Sequence, residues 1–259
     1  MSLILPAILY ITGVVRLWRR AGIGRGVSVW QAAAFAAGIL SIFVALASPL
    51  DLWSEQLFSA HMIQHFVLIL IAGPCLVGCA FPVVALAALP EGWARAFGRA
   101  WGRSHRLRRG WAWLDRPFMG WLLFGGILWL WHLPVLYQAA LRSELLHALE
   151  HLMFLAPSML YWWTLLRSRG GPVLRFGSAV LSLLTTGFHS GVLGALLAFS
   201  AHLWYPAYSS SALAWNLTPL EDQQIAGLVM WLPGGIGYTL LATFFFLAWL
   251  GALEKQAAV

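Results

Sequence analysis

The sequence predicts an all-α integral membrane protein, a bundle of seven transmembrane helices with the N-terminus outside the cytoplasm and the C-terminus inside it. Three observations support this fold class. Of the 259 residues, 61% are hydrophobic and only 10% are charged, whereas soluble domains carry about 25% charged residues. The apolar residues fall into separate long runs, and the basic residues gather between these runs on one side. Because backbone groups in hydrocarbon find no water to bond, the runs are expected to be helical.

Seven apolar segments are long enough to span a bilayer, whose hydrocarbon core of about 30 Å needs about 20 helical residues. The predicted spans are residues 2–18, 29–49, 55–80, 118–138, 144–166, 174–203 and 221–251. After Pro74 the third apolar run continues to Leu89 with Pro82 inside it, which predicts either a bent span or a span followed by a short surface helix. No internal repeat divides the chain, so residues 1–259 are expected to form one membrane domain.

The basic residues set the predicted orientation. Fifteen of the sixteen lie in or beside the first, third and fifth loops or after the last span, and only Arg142 lies on the other side. The fifteen are Arg16, Arg19, Arg20, Arg25, Arg95, Arg99, Arg103, Arg106, Arg108, Arg109, Arg116, Arg167, Arg169, Arg175 and Lys255. The positive-inside rule assigns this side to the cytoplasm. The net charge of +7 is therefore expected to contact anionic lipids of the bilayer and not nucleic acid.

Histidines are the most informative residues of the predicted spans. His61 and His65 form H-M-I-Q-H near the outer start of the third span, and His147 and His151 form H-A-L-E-H at the outer start of the fifth. His132 lies near the outer end of the fourth span. At a rise of about 1.5 Å per residue, these five imidazoles share one slab in the outer half of the membrane. Ionisable side chains at this depth are costly and usually functional.

The spacing within each pair predicts a metal site. Residues four apart project from one helix face, an arrangement by which helices offer two nitrogen ligands to one ion. Imidazole suits copper, zinc, iron and nickel. We expect His61, His65, His147 and His151 to be the main ligands and His132 to complete the site. Bis-histidine ligation of b-type haem and a metal-free hydrogen-bond network are alternative interpretations of the same residues.

Other polar residues of the spans give weaker signals. Glu150 is expected to orient a ligand imidazole by accepting its ring N–H, and Asp222 and Gln223 open the seventh span where they can face the same cavity. Met62 and Met153 are soft ligands, but neither shares a helix face with its neighbouring histidine pair.

A second set of residues is expected to play structural parts. His189 is expected to bond a carbonyl or serine across a helix interface, and His202, near the outer end of span six, is equally compatible with either role. Cys75 and Cys79 are interpreted as small buried apolar residues, and His105 as solvated.

Five motifs resemble the CtaG family, the membrane assembly factors of caa-type bacterial cytochrome c oxidases. They are S-P-L-D (residues 48–51), F-S-A-H-M-I-Q-H (58–65), W-L-W-H-L-P (129–134), L-H-A-L-E-H-L (146–152) and D-Q-Q-I-A-G-L-V-M-W-L-P-G-G (222–235). The resemblance implies a multi-pass protein of the bacterial inner membrane that matures the oxidase, with oxidase subunits as partners and a role in placing copper. The positions that match are His61, Met62, Gln64, His65, His132, His147, Glu150, His151, Asp222 and Gln223.

The sequence and the resemblance together predict an accessory protein and not an enzyme. It is expected to hold copper, as the cuprous ion, in an outward-facing histidine site during oxidase maturation. The alternatives from other classes are a membrane electron carrier or oxidoreductase that binds haem b, and a metal-free structural chaperone of oxidase subunits. The residues carry no signal for an oligomeric state.

Overall fold

The computed structural model describes residues 3–167, 171–209 and 211–257, and within these ranges every regular element is a helix. The helices are α1 (Ile4–Ala21), α2 (Val29–Ala47), α3 (Pro49–Ser54), α4 (Phe58–Phe66), α5 (Gly73–Gly78), α6 (Phe81–Ala88), α7 (Glu91–Arg103), α8 (His105–Leu114), α9 (Pro117–Trp131), α10 (Pro134–Leu141), α11 (Glu144–Arg167), α12 (Pro172–Ala198) and α13 (Pro219–Ala257). The all-α prediction is confirmed. Residue 2 of the first predicted span and Arg169 of the fifth loop lie outside the described ranges.

Four helical stretches of the described chain are long and apolar enough to cross a membrane: Val29–Ala47, Phe58–Gly78, Pro172–Ala198 and Pro219–Ala257. A fifth candidate is the pair Phe118–Trp131 and Pro134–Leu141, whose axes are bent by 74°. Helices α1 and α11 occupy the first and fifth predicted spans but are not among these candidates. Helix α1 carries three arginines, and helix α11 carries two glutamates and two histidines. Four to five candidates are thus established, and seven spans remain a prediction.

The predicted fourth span is not one continuous helix. Helix α9 ends at Trp131, His132 caps it, and Leu133 is extended before Pro134 begins α10. A residue that precedes proline avoids the helical region, because the proline ring would clash with its backbone. The predicted span over 118–138 is therefore divided between two helices, and His132 lies at the bend.

The third span runs through a change of helix type. Helix α4 continues into a π-helical segment, Val67–Ala72, which leads into α5. Such segments are rare and frequently occur at functional sites. The chain turns at Ala80, which has the left-handed φ of 55°, before α6 begins with Phe81 and Pro82. Of the two expectations for this region, a span followed by a separate helix is correct, and α6 packs along α1 with Val84 against Gly13.

Helices α12 and α13 pack closely over a pair of glycines. A β-carbon on Gly194 would lie 2.8 Å from the carbonyl oxygen of Gly227, and one on Gly227 would overlap the backbone of Ala198. Only glycine allows this approach of the two helices. The glycine of the D-Q-Q-x-x-G motif therefore fixes the first part of α13, which carries Asp222 and Gln223, within the bundle.

The two ends of the bundle differ in composition. At one end, Arg16 donates to the carbonyl of Leu89 at 3.1 Å, and Arg20 lies 3.7 Å from Glu91 at the start of α7. The arginine-rich helices α7 and α8 follow there, and neither has a buried residue. At the other end, the segment between α12 and α13 covers the start of α4, where Tyr208 donates to the carbonyl of Ser54 at 3.1 Å.

Candidate metal centre

Helices α4 and α11 bring together four imidazoles, named here the histidine cluster (His61, His65, His147 and His151). The i, i+4 spacing places both rings of each pair on one helix face, and the two faces meet. Between the helices, the ring centroids are 5.2 Å apart for His61 and His147, 5.9 Å for His61 and His151, and 5.4 Å for His65 and His151. The structure thus assembles the four main residues of the predicted site.

Glu150 lies inside this cluster. Its Oε1 is 3.9 Å from Nε2 of His61 and 3.9 Å from Nε2 of His65. The sequence predicted that Glu150 orients an imidazole, and the carboxylate points across to α4, where it is near enough to be a candidate ligand itself. Ligand atoms that lie within 4.8 Å of one another form two groups, His61 with His65 and His151, and His61 with His147 and Glu150. His61 belongs to both groups.

The polar atoms of the cluster are buried without partners. His61 and Glu150 are fully buried, and His65 and His151 are 4% and 8% exposed. Among the described residues, no hydrogen-bond partner reaches either ring nitrogen of His61 or His65, Nε2 of His147 or His151, or either carboxylate oxygen of Glu150. Each unpaired buried group costs the fold about 1–3 kcal/mol. Such a concentration of lone pairs suits a cation, which one atom from each residue of a ligand group can bind together.

Aromatic rings enclose the cluster. The ring centroid of Tyr137 lies 5.2 Å from that of His61, and the centroid of Phe154 lies 4.3 Å from that of His65. The Tyr137 hydroxyl is 3.0 Å from that of Tyr208, and Tyr205 donates to the carbonyl of His132 at 2.7 Å. Burial raises the pKa of Tyr205 and of Tyr208, so both hydroxyls stay protonated at neutral pH and keep these bonds. The tyrosine and phenylalanine rings therefore pack around the cluster and limit the access of water.

His132 belongs to neither ligand group, although the sequence predicted that it completes the site. It caps α9 at the bend, and its ring centroid lies 6.0 Å from that of Phe154. Its Nδ1 lies 2.6 Å from the carbonyl oxygen of Leu128, while its buried Nε2 has no partner in the described chain. His132 lies at the bend after Trp131, and no local sequence signal predicts the angle of that bend.

Two residues next to the histidines of α4 point away from the cluster. The Gln64 amide donates to the carbonyl of Ala45 at 2.7 Å and to Asp51 at 2.8 Å, which ties α4 to α2 and α3. Met62 is 2% exposed and packs with Phe58 and Tyr137. Gln64 therefore positions the helix, and Met62, expected on a different face from the histidine pair, lines a small cavity together with His65.

Asp222 and Gln223 do not face the cluster. The Asp222 carboxylate accepts from the backbone N–H of Phe58 at 2.7 Å and from that of Ser59 at 3.1 Å, which caps the start of α4 from another helix. Gln223 accepts from the backbone N–H of Trp204 at 2.6 Å and donates to the carbonyl of His202 at 3.0 Å. The expectation that they can face the metal cavity is not met, because backbone groups at the start of α4 and in the segment after α12 occupy their polar atoms.

The remaining histidines and cysteines lie elsewhere. His202 was expected within span six, but α12 ends at Ala198 and His202 is exposed beyond it. His189 packs edge-on against Trp121 at 5.9 Å, and neither of its nitrogens has the carbonyl or serine partner that the sequence predicted. Cys79 is fully buried in the apolar cluster around Tyr10 and Phe35, in agreement with its predicted packing role.

Sequence reasoning underestimated Glu150 and missed Tyr137. The signal for Glu150 was available, since it lies three residues after His147 and hence on the same helix face. Tyr137 lies beyond the bend in α10. Its approach to His61 depends on that bend, for which the only local signal is Pro134.

The fold and the site define a class of protein, a helical membrane protein with a buried histidine and carboxylate cluster between two of its helices. The chain belongs to the family of cytochrome c oxidase caa3 assembly factors (Caa3_CtaG), whose model matches residues 8–252. The family expected from the sequence motifs is thereby confirmed. The match spans both histidine pairs and the D-Q-Q motif.

Three similar curated proteins from mycobacteria each bear the name of an uncharacterized protein. One from Mycobacterium leprae is 25% identical over 234 residues, which cover 86% of this chain and 34% of that protein. Others from Mycobacterium bovis and Mycobacterium tuberculosis are each 26% identical over 230 residues, with 87% of this chain and 34% of theirs covered. The chain thus spans about a third of the length of the curated relatives it matches. No solved structure matches the chain.

Proposed function

We propose that this chain holds copper in the histidine cluster with Glu150 and supplies it to a cytochrome c oxidase during assembly. The single observation that supports the proposal most is the set of buried ring nitrogens and carboxylate oxygens without hydrogen-bond partners in the described chain, gathered within ligand distance of one another. The family gives the context of oxidase assembly. The role is that of an assembly factor and not of an enzyme.

The donor set favours a bare metal ion over haem. Imidazole suits copper, and the Glu150 carboxylate would offset the charge of a buried cation. A haem with two axial histidines needs a macrocycle between the two imidazoles. Here the rings of His61 and His147 are stacked at 5.2 Å, and Tyr137 packs against His61. These contacts leave no gap between the two imidazoles for a porphyrin.

The membrane placement is part of the proposal. Seven spans, including α1, α11 and the bent α9–α10 pair, would place the N-terminus outside and the C-terminus in the cytoplasm of a bacterium. The basic end formed by α7 and α8 would then face the cytoplasm, in accordance with the positive-inside rule. The histidine cluster lies toward the opposite end, near the starts of α4 and α11. Copper would therefore be received and released on the outer side of the cytoplasmic membrane.

The partners are proposed to be oxidase subunits that receive copper. An oxidase has copper centres outside the membrane and within its helices, so a donor in the outer half of the bilayer can reach them. A delivery site needs an affinity that allows release, and a site with two overlapping ligand groups around His61 offers alternative positions for one ion.

The test is the metal content and visible spectrum of the purified full-length protein and of two variants, His61→Ala and His151→Ala. Loss of a partner that merely orients a ligand costs about 10–100-fold in metal affinity, so loss of a ligand is expected to cost at least as much. His189→Ala and Cys75→Ala are matched controls that should keep wild-type copper. Equal copper in all variants would refute the histidine site, and a Soret band that His61→Ala removes would establish haem instead.

A further inference from the structure

A small cavity of about 50 Å³ lies beside the histidine cluster, between α4, α9, α12 and α13. Its lining includes Met62, His65, His132 and Met230. We propose that this cavity is a second cation site, selective for the soft cuprous ion, and that it exchanges its ion with the histidine cluster through His65. This inference rests on the proposed function and adds to it a second position on the path of copper.

His132 is prepared as a ligand. Its Nδ1 lies 2.6 Å from the carbonyl oxygen of Leu128, so this nitrogen carries the proton as donor and Nε2 carries a free lone pair. That Nε2 is buried and has no partner among the described residues. The carbonyl of His132 in turn accepts from Tyr205 at 2.7 Å, which fixes the bend. An imidazole oriented in this way by its other nitrogen is typical of metal ligands.

Two thioethers distinguish the cavity from the histidine cluster. Met62 comes from α4 and is 2% exposed, and Met230 comes from α13 and packs against the apolar clusters on both sides of the cavity. Thioether and imidazole together select the cuprous ion, whereas carboxylates favour harder cations. Among the described residues, no aspartate or glutamate lines the cavity. The cavity therefore suits an ion of single charge, which is the least costly to bury.

His65 connects the two sites. It belongs to one ligand group with His61 and His151, and it also lines the cavity. Its two nitrogens are both buried and without partners in the described chain. An ion can keep its bond to His65 while it exchanges His61 and His151 for His132 and the thioethers. The exchange transfers no electron and no proton, and the ion keeps its charge.

The size of the cavity agrees with this role. A volume of about 50 Å³ exceeds the roughly 10–15 Å³ that one water needs. One bare ion with its ligand atoms fits such a space. The cavity lies deeper in the bundle than His61, since His65 is one helical turn further along α4.

The test uses X-ray absorption and copper stoichiometry of the full-length protein loaded with cuprous ion, in a background with Cys75→Ser and Cys79→Ala. In that background the remaining sulfurs are thioethers. We expect copper–sulfur scattering, its loss in the double variant Met62→Leu and Met230→Leu, and about one ion fewer per chain. Methionine and leucine have similar volumes, so the fold should tolerate both changes. Met159→Leu, at a different cavity, is the matched control and should keep the sulfur signal.

The outcomes separate this inference from the proposed function. His61→Leu combined with His147→Leu should remove the nitrogen-bound ion and leave the sulfur-bound one. Copper bound with nitrogen and oxygen scattering alone, unchanged in the methionine double variant, would overturn the second site and leave the histidine cluster standing. A protein that binds no copper in any form would overturn the proposed function and this inference together.

Discussion

Two sets of buried polar residues, both drawn from the family's motifs, behave in opposite ways. Asp222 and Gln223 direct their polar atoms mainly to backbone groups of α4 and of the segment after α12, and the Gln64 amide nitrogen donates to a carbonyl of α2. His61, His65, His151 and Glu150 are likewise buried and His147 is half-buried, and this second set has ring nitrogens and carboxylate oxygens without partners in the described chain. A buried polar group is stable only when it is bonded. The first set therefore maintains the fold, and the second set is free to bind a ligand.

The difference separates the motif residues that maintain the fold from the motif residues that are free to bind a ligand. In the sequence, both sets are polar residues of the same family motifs. In the structure, the first set completes backbone hydrogen bonds, and the side chains of the second set lie close together without partners in the described chain. Removal of a residue from the first set should destabilise the protein. Removal of a residue from the second set should empty the site and leave the fold intact.

The largest expected effect on stability is that of Asp222→Ala. It would leave the backbone N–H groups of Phe58 and Ser59 and the Ser59 hydroxyl without their acceptor inside the protein. At about 1–3 kcal/mol for each such group, the free energy of unfolding should fall by about 3 kcal/mol or more. Thermal unfolding of the purified protein in detergent measures the loss. Asp222→Asn retains one carbonyl oxygen and should lose less.

Gln223→Ala should have a smaller and more local effect. The change removes the acceptor of the Trp204 N–H and the donor to the His202 carbonyl, two bonds that hold the segment after α12. We expect a loss of about 1–2 kcal/mol and faster amide hydrogen exchange at Trp204. Exchange within α9 should stay unchanged. Uniformly faster exchange throughout the bundle would show that Gln223 supports the whole fold and not this segment.

The smallest effect on stability is expected for His61→Leu. Leucine has a similar size, and the change removes two ring nitrogens that have no partner in the described protein. Replacement of an unpaired buried polar group by an apolar one is nearly neutral or stabilising, so unfolding should shift by less than about 1 kcal/mol. Copper content should nevertheless fall at least tenfold, since His61 belongs to both ligand groups. A metal-free protein that His61→Leu destabilises as much as Asp222→Ala does would assign the histidines to the fold.

Much of the fold and part of the site could be predicted from the sequence. The apolar runs located the long helices. Helix periodicity is a local property, so the i, i+4 spacing correctly placed the two histidines of each pair on one face. The structure shows that these two faces meet. The position of His132 could not be predicted, since the 74° bend depends on how α10 packs after Pro134. The partners of Asp222 could not be predicted either, because they lie 164 and 163 residues away in the chain. Contacts of that kind depend on the arrangement of helices, which local patterns do not encode.

The most direct test of the proposed function is the ratio of copper to haem in the oxidase purified from cells that lack this chain or carry His61→Ala or His151→Ala. We expect oxidase polypeptides with haem but little copper in all three strains, and partial recovery of copper and activity when excess copper is added to the medium. The variants must be present at wild-type abundance, and His189→Ala should give a fully copper-loaded oxidase. A fully copper-loaded oxidase in the deletion strain, particularly one that lacks a subunit, would contradict copper delivery and identify the chain as a structural chaperone.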